Sequence, residues 1–171
     1  LVLALASRML LKRRTEQLLR ARNAEIERAN RELAEAADTD VLTRARNRRY
    51  FHRQLAPQLQ LQLADAEPFA LILIDADHFK AINDRHGHDV GDRALIAIAQ
   101  AWRSVIGPDD TLVRWGGEEF LVVARADEAQ AAGLVQRGLD ATRRAQVEAI
   151  GDLSLSVSVG WLTTPWPNAD I

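Results

Sequence analysis

The sequence predicts an α+β fold, a mainly antiparallel sheet with helices on one face, preceded by a long N-terminal helix. Three observations carry this prediction. Apolar runs of strand length and stretches of helical spacing follow one another as strand, helices, strand, strand, helix, strand. Two of the apolar runs flank Gly116-Gly117, a strong short-range hairpin signal. Residues 10–37 contain neither proline nor glycine and carry an apolar repeat of seven residues.

At the start of the chain, residues 1–11 are mostly apolar and precede Lys12-Arg13-Arg14, as where a membrane helix leaves the bilayer on its cytoplasmic side. The stretch is too short to span a bilayer, which needs about 20 residues. The first residue is leucine rather than methionine, so a longer parent chain is expected. That parent is expected to hold a cytoplasmic domain tethered to the inner membrane by a preceding segment. The start of an amphipathic helix fits the same residues. Leu19, Ile26 and Leu33 then recur every seven residues, with Asn23 and Asn30 at the alternating seam positions. As d and a positions they suit a parallel two-stranded coiled coil, in which a buried Asn sets register at a cost in stability. Residues 1–39 are therefore expected to be a signalling helix that dimerises. Glu16 interrupts the seam, and a single solvated helix is the alternative.

Asp38-Thr39-Asp40 ends this helix or caps the next, and residues 47–63 read as helical despite Pro57. Phe69-Ala70-Leu71-Ile72-Leu73-Ile74 has the length of a buried strand and ends on Asp75-Ala76-Asp77. Residues 90–106 have helical spacing and stop at Gly107-Pro108. Thr111-Leu112-Val113 and Phe120-Leu121-Val122-Val123-Ala124 form the hairpin arms. Residues 127–150 read as a helix weakened by Gly133 and Gly138, and residues 153–159 alternate strictly, as in a strand with one polar face. The globular domain is accordingly placed at 40–171.

Composition narrows the function. A net charge of -2 and a pI near 6.1 argue against a general nucleic-acid binder. The absence of cysteine excludes disulfides, thiolate zinc sites and cysteine nucleophiles.

What remains is oxygen chemistry. Glu118 and Glu119 on the hairpin tip repel each other unless water or a cation lies between them. Asp75 and Asp77 at the end of the buried strand converge with them if the two strands are neighbours. Such a set suits Mg²⁺ or Mn²⁺, which keep waters and take further ligands from substrate phosphates. Of Asp75 and Asp77 only one is expected to ligate directly, the other turning to the opposite face, and Asp75 is assigned. A calcium loop opening at Asp75 fails on spacing, because Lys80 stands where glycine is required and His86 where glutamate is. No phosphate-binding loop of the Gly-rich, Lys-Ser/Thr type occurs.

Two long motifs carry a family resemblance. The segment from Asp75-Ala76-Asp77-His78-Phe79-Lys80 through Asn83, Gly87-His88 and Gly91-Asp92, followed by Arg114-Trp115-Gly116-Gly117-Glu118-Glu119-Phe120, resembles the GGDEF domain of diguanylate cyclases, in its GGEEF variant. Asp40-Val41-Leu42-Thr43 with Asn47-Arg48 resembles the motif that opens that domain. The resemblance implies a palm-like fold related to nucleotidyl cyclases, and an enzyme that condenses two GTP into cyclic di-GMP with release of pyrophosphate. It further implies metal ligation by Asp75, Glu118 and the Ala76 carbonyl, with Glu119 as a further ligand. Glu118 would be the general base on the ribose 3′-hydroxyl. Asn83 and Asp92 would read guanine, Lys80 would stabilise phosphate charge, His88 would touch substrate, and Gly116 and Gly117 would leave room for the triphosphate.

A symmetric cyclic dinucleotide requires two such domains facing each other, so a homodimer belongs to the implied mechanism. A non-catalytic GTP sensor and a purely structural dimerisation module are the alternatives. Where family members carry Arg-x-x-Asp for product inhibition, this chain has Gly107-Pro108-Asp109-Asp110, so that inhibition is expected to be lost. Arg44-Ala45-Arg46 replaces the usual glycine and leucine. The family continues with a helix and a final strand beyond the last residue given, so reduced activity of this chain by itself is expected.

Overall fold

The computed structural model describes residues 2–64, 67–147 and 153–164, apart from the side chains of residues 2–12, 15, 31 and 32. It divides into two compact units, Leu1–Ala37 and Asp38–Ile171. The first is helical. Helix α1, Val2–Asp38, runs unbroken for 37 residues, or about 55 Å at the usual rise. Leu19, Ile26 and Leu33 are 58%, 47% and 69% exposed, so the heptad positions present an uncovered apolar seam. Arg22 and Glu25 pair across one turn at 2.9 Å. The apolar opening at residues 1–11 lies outside the described side chains. Among the described residues no helix is long and apolar enough to cross a membrane.

The second unit is built on five strands in the order β1-β3-β4-β2-β5. They are β1 (Arg46–Asn47), β2 (Ala70–Ala76), β3 (Thr111–Gly116), β4 (Glu119–Ala124) and β5 (Val157–Thr163). All pairings are antiparallel except β1 with β3. Asn47 ends β1 and caps the helical segment after it, its side chain accepting from the Tyr50 N–H at 3.0 Å. That segment is α2 (Arg48–Tyr50), a π-helical turn (Phe51–Leu55) and α3 (Ala56–Ala64). Pro57 follows directly on the π-helical turn, where the Ala56 N–H reaches back five residues to the Phe51 carbonyl and the ordinary helical ladder is already interrupted.

Alternation along β2 and β4 sorts their side chains onto two faces. Ile72, Ile74, Phe120 and Val122 are fully buried on one face, under α5 (His88–Arg103) and α6 (Glu128–Arg144), which contribute Leu95, Ile98, Trp102, Leu134 and Val135. The other face is not bare, contrary to expectation. Leu55 and Leu59 bury Val113, Leu121 and Val123 there, because the π-helical turn and α3 carry their own apolar stripe. Leu73 and Leu162 on the same face stay 46% and 37% exposed.

Three boundaries also differ from the sequence reading. Helix α5 starts at His88 and ends at Arg103, two to three residues earlier than the 90–106 spacing suggests. Helix α6 has the predicted start, where Asp127 and Gln130 form a reciprocal capping box, but stops at Arg144 rather than 150. Ala145 turns extended and Val147 drops into the core at 2% exposure. Strand β5 occupies Val157–Thr163 rather than 153–159, because its partner β2 ends at Ala76, opposite Val157. The alternating serines 154 and 156 precede the ladder.

Candidate active site

The hairpin forms as the double glycine predicts. Strands β3 and β4 pair from Thr111 with Val123 up to Gly116 with Glu119, with an irregularity between Arg114 and Gly116. Gly117 takes φ +28°, a value that suits glycine, and a Cβ there would meet nothing within 4 Å. The turn backbone is thus open on the side where a ligand would approach.

The β2–β4 register sets Asp75 directly opposite Glu119. Directly opposite residues share a face with Cβ atoms about 5 Å apart, so Glu119 is the carboxylate that the ladder brings to Asp75. Glu118 sits one residue further out, where its backbone carbonyl accepts from the Ala76 N–H at 3.3 Å. A Cβ on Gly116 would lie 3.6 Å from the Glu119 carboxylate, which therefore folds back over the turn. Asp75 is exposed, and none of Asp75, Glu118 and Glu119 forms an ion pair among the described residues.

The expectation that Asp75 and Asp77 face opposite ways is corrected. Residues two apart on a strand share a face. What distinguishes Asp77 is its partner: Ser158, the β5 neighbour of Asp75, donates its hydroxyl to Asp77 at 2.6 Å. The Ser158 hydroxyl first, then that of Ser156, hold the Asp77 carboxyl below the usual carboxylate range against a small burial cost, aided by the charge of His78. Asp77 is therefore tied to β5, and Asp75 remains the unengaged carboxylate.

Behind the strand end, α4 (Phe79–His86) and α5 form a second wall. His78 reverses the chain into α4 in the left-handed region, at φ +57°. Lys80 is exposed on the first turn of α4, His88 opens α5, and Asp92 lies exposed one turn on. Asn83 is set against α5 so closely that a Cβ on Gly91 would come within hard contact of its Oδ1 and 3.3 Å from Phe79. That Oδ1 is buried without a hydrogen-bond partner. A buried amide oxygen lacking a donor is unfavourable unless something supplies one.

Sequence reasoning missed the clamp that shapes the turn. Arg114 Nε and Nη2 hold the Gly117 carbonyl at 3.2 and 2.8 Å, and Nη1 reaches Asp40 Oδ1 at 3.1 Å. Burial opposes ionisation of Asp40. Hydrogen bonds from the Thr43 hydroxyl and N–H and from Arg114, together with the charge of Arg114, outweigh it and leave the carboxyl below its ordinary range. Trp115 packs beside the turn, edge-on to Phe51 at 5.0 Å and under the Arg48 guanidinium at 4.8 Å.

Among the described residues no three carboxylates or imidazoles converge into a closed metal cage. A pair of facing carboxylates with an open side suits a hard cation that completes its shell from water and phosphate. It does not suit a structural zinc site, which closes all four positions.

The diguanylate cyclase GGDEF domain family matches residues 37–171. The chain belongs to this family. Among GGDEF relatives, the bifunctional diguanylate cyclase/cyclic di-GMP phosphodiesterase MucR of Pseudomonas aeruginosa is 36% identical over 134 residues, which cover 78% of this chain and 20% of MucR. These curated relatives are thus much longer, the chain spanning 20% of MucR and 24% of the diguanylate cyclase DgcM of Escherichia coli. In structure it is similar to the diguanylate cyclase SiaD of Pseudomonas aeruginosa, crystallised in complex with its activator SiaC. The TM-score is 0.75 at 33% identity, covering 96% of this chain and 66% of SiaD. The coiled coil and GGDEF domain of DgcB from Caulobacter crescentus, solved with c-di-GMP, match with a TM-score of 0.73 at 26% identity, over 86% of this chain and 82% of that one.

Proposed function

We propose that this GGDEF domain condenses two molecules of GTP into cyclic di-GMP, releasing pyrophosphate. The observation that carries the reading is the β2–β4 register, in which Asp75 and Glu119 face each other beside an open Gly116-Gly117 turn. Asp75, Glu118 and the Ala76 carbonyl, with Glu119 beside them, would hold Mg²⁺ or Mn²⁺, which when bound neutralises triphosphate charge.

The chain's own groups do the rest. Glu118 accepts the proton of the ribose 3′-hydroxyl, leaving that oxygen to attack the α-phosphate of the nucleotide on a facing domain. Lys80, exposed on the first turn of α4, would offset charge on the phosphates, and His88, the first residue of α5, would touch substrate. Asn83 and Asp92 read the base. The carboxylate accepts from guanine N1–H and N2–H₂, and the amide pairs with the remaining base edge. The unpartnered, buried Oδ1 of Asn83 supports a role for that amide in binding.

One domain holds one nucleotide, so the product requires two domains related by a two-fold axis. The exposed Leu19, Ile26 and Leu33 seam supports a parallel coiled coil as the device that raises their mutual concentration. The reading places the domain in the cytoplasm, where GTP is available, with any membrane tether upstream.

The test is incubation of the protein with GTP and Mg²⁺, with the nucleotides then separated by chromatography. Cyclic di-GMP is expected from the parent, and about 10²- to 10⁴-fold less from Glu118→Gln, the range for loss of a general base. Bound but unconverted GTP would instead identify a sensor.

A further inference from the structure

Strand β2 ends between two neighbours that lie on opposite sides of it. The sheet order β1-β3-β4-β2-β5 puts Glu119 and the glycine turn on one side, and Ser156-Val157-Ser158 on the other. At the usual strand spacing these two flanks are about 10 Å apart.

Asp75 stands opposite Glu119 on the first flank and opposite Ser158 on the second, so the three side chains share one face of the sheet. Asp77, two residues on, belongs to that face as well. A second carboxylate therefore follows Asp75 at about 7 Å along the chain, near enough to join a cation that Asp75 holds.

Three bonds draw Asp77 to the β5 flank instead. Its N–H donates to the Ser156 carbonyl at 3.0 Å, its carboxylate accepts from the Ser158 hydroxyl at 2.6 Å, and the Ser156 hydroxyl is a further donor to it. The hairpin side, where Glu119 meets Asp75, is left without it. This matters for a hard cation. Mg²⁺ keeps waters and leaves positions for phosphate oxygens, whereas Ca²⁺ takes more oxygen ligands and is held more tightly as carboxylates are added. A further carboxylate would also cancel positive charge that serves to neutralise a triphosphate.

We infer that Ser158, helped by Ser156, is a positioning residue that withholds Asp77 from the metal and leaves Asp75 as the β2 carboxylate that ligates it. The two serines thereby set the charge of the ligand shell and its preference among divalent ions. Their role rests on the proposed ligation by Asp75, and metal binding without nucleotide separates the two.

Mn²⁺ is titrated into the nucleotide-free protein, and the free ion is read by electron paramagnetic resonance. Asp75→Asn is expected to weaken binding about tenfold or more. Asp77→Asn is expected to weaken it by no more than about threefold, the effect in water of one charge about 7 Å away. In Ser156→Ala/Ser158→Ala, which alters two exposed positions, the freed Asp77 should join the ion and tighten binding about tenfold, with Ca²⁺ gaining on Mn²⁺ in competition. Adding Asp77→Asn to that variant should abolish the gain, and Ser158→Thr, which keeps a hydroxyl, should bind as the parent does. Serines that only steadied the strand end would give the opposite sign, with weaker binding in the double alanine variant. That result, or an unchanged affinity, overturns the role of Ser158, as does a loss in Asp77→Asn equal to that in Asp75→Asn. Undiminished binding in Asp75→Asn overturns the metal assignment and the role of Ser158 with it. Where the parent binds too weakly to read, the gain in the double alanine variant, or its absence, decides.

Discussion

Asp40 and Arg114, 74 residues apart in sequence, form a partly buried ion pair whose guanidinium also carries the Gly117 carbonyl of the hairpin turn. Asp40→Asn should therefore cost stability, about 1.5–3 kcal/mol near neutral pH, the range for hydrogen bonds to a charged group. The sign of its pH dependence follows from the depressed carboxyl. The contribution is fully present above the unfolded value of about 3.9 and is lost as pH falls through the lower folded value. Urea denaturation of parent and variant should show a gap at pH 7 that closes in acid below about pH 4. A gap independent of pH would assign the effect to contacts that do not depend on the ionisation of Asp40.

The same contrast explains what was and was not legible in the sequence. The glycine pair between two apolar runs announces a hairpin because the signal is local, and so does the capping box at Asp127. The Asp40–Arg114 pair is not local. It depends on β1 lying parallel beside β3, and no period or composition in the chain encodes that neighbour. The covering of the second sheet face escaped for a related reason. Phe51, Leu55 and Leu59 recur every four residues and so mark an apolar helical face, but which sheet face they cover depends on non-local packing against Val113, Leu121 and Val123. Among the candidate site residues, Asp75 and Glu118 stood out as strand-end and turn carboxylates. Which glutamate faces Asp75 required the register, since a shift of one residue exchanges them.

Gly91 and Asn83 supply the next prediction. Gly91→Ala places a methyl group in hard contact with Asn83 Oδ1, and the asparagine side chain must rotate to escape. Because Asn83 is proposed to read the base and not to act on the phosphates, the variant should raise KM for GTP about tenfold or more with kcat changed little. Steady-state kinetics of Gly91→Ala beside Asn83→Ala check this, and the two defects should not add, since both act through one side chain. A fall in kcat with unaltered KM would place the pair in the chemical step instead.

Gly138 makes a prediction about stability alone. The helix α6 glycine was expected to weaken its helix, and alanine is normally better there by about 1 kcal/mol. Here a Cβ would approach the fully buried Trp102 ring to 2.6 Å. The indole is packed on every side and has no room to withdraw, so overpacking should outweigh the gain in propensity and leave Gly138→Ala less stable by about 1–3 kcal/mol. Gly133→Ala on the same helix, whose Cβ would meet only the far end of Arg137 at 3.5 Å, is the control and should be neutral or stabilising. Chemical denaturation of the two variants separates packing from propensity.

The exposed seam on α1 connects sequence to activity through association. Leu19, Ile26 and Leu33 expose large apolar side chains that gain nothing from water, and burying them against a second copy would remove that surface. Replacing all three with serine should leave the Asp38–Ile171 unit folded, because it forms its own compact body and its own core. Cyclisation should then fall at low protein concentration and recover as concentration rises, since free domains meet as the square of their concentration while tethered ones do not. Sedimentation of the variant beside the parent measures the dimer directly. Equal rates for parent and variant across the dilution series, with the parent dimeric throughout, would remove α1 from the catalytic assembly and leave the facing of the two domains to their own surfaces.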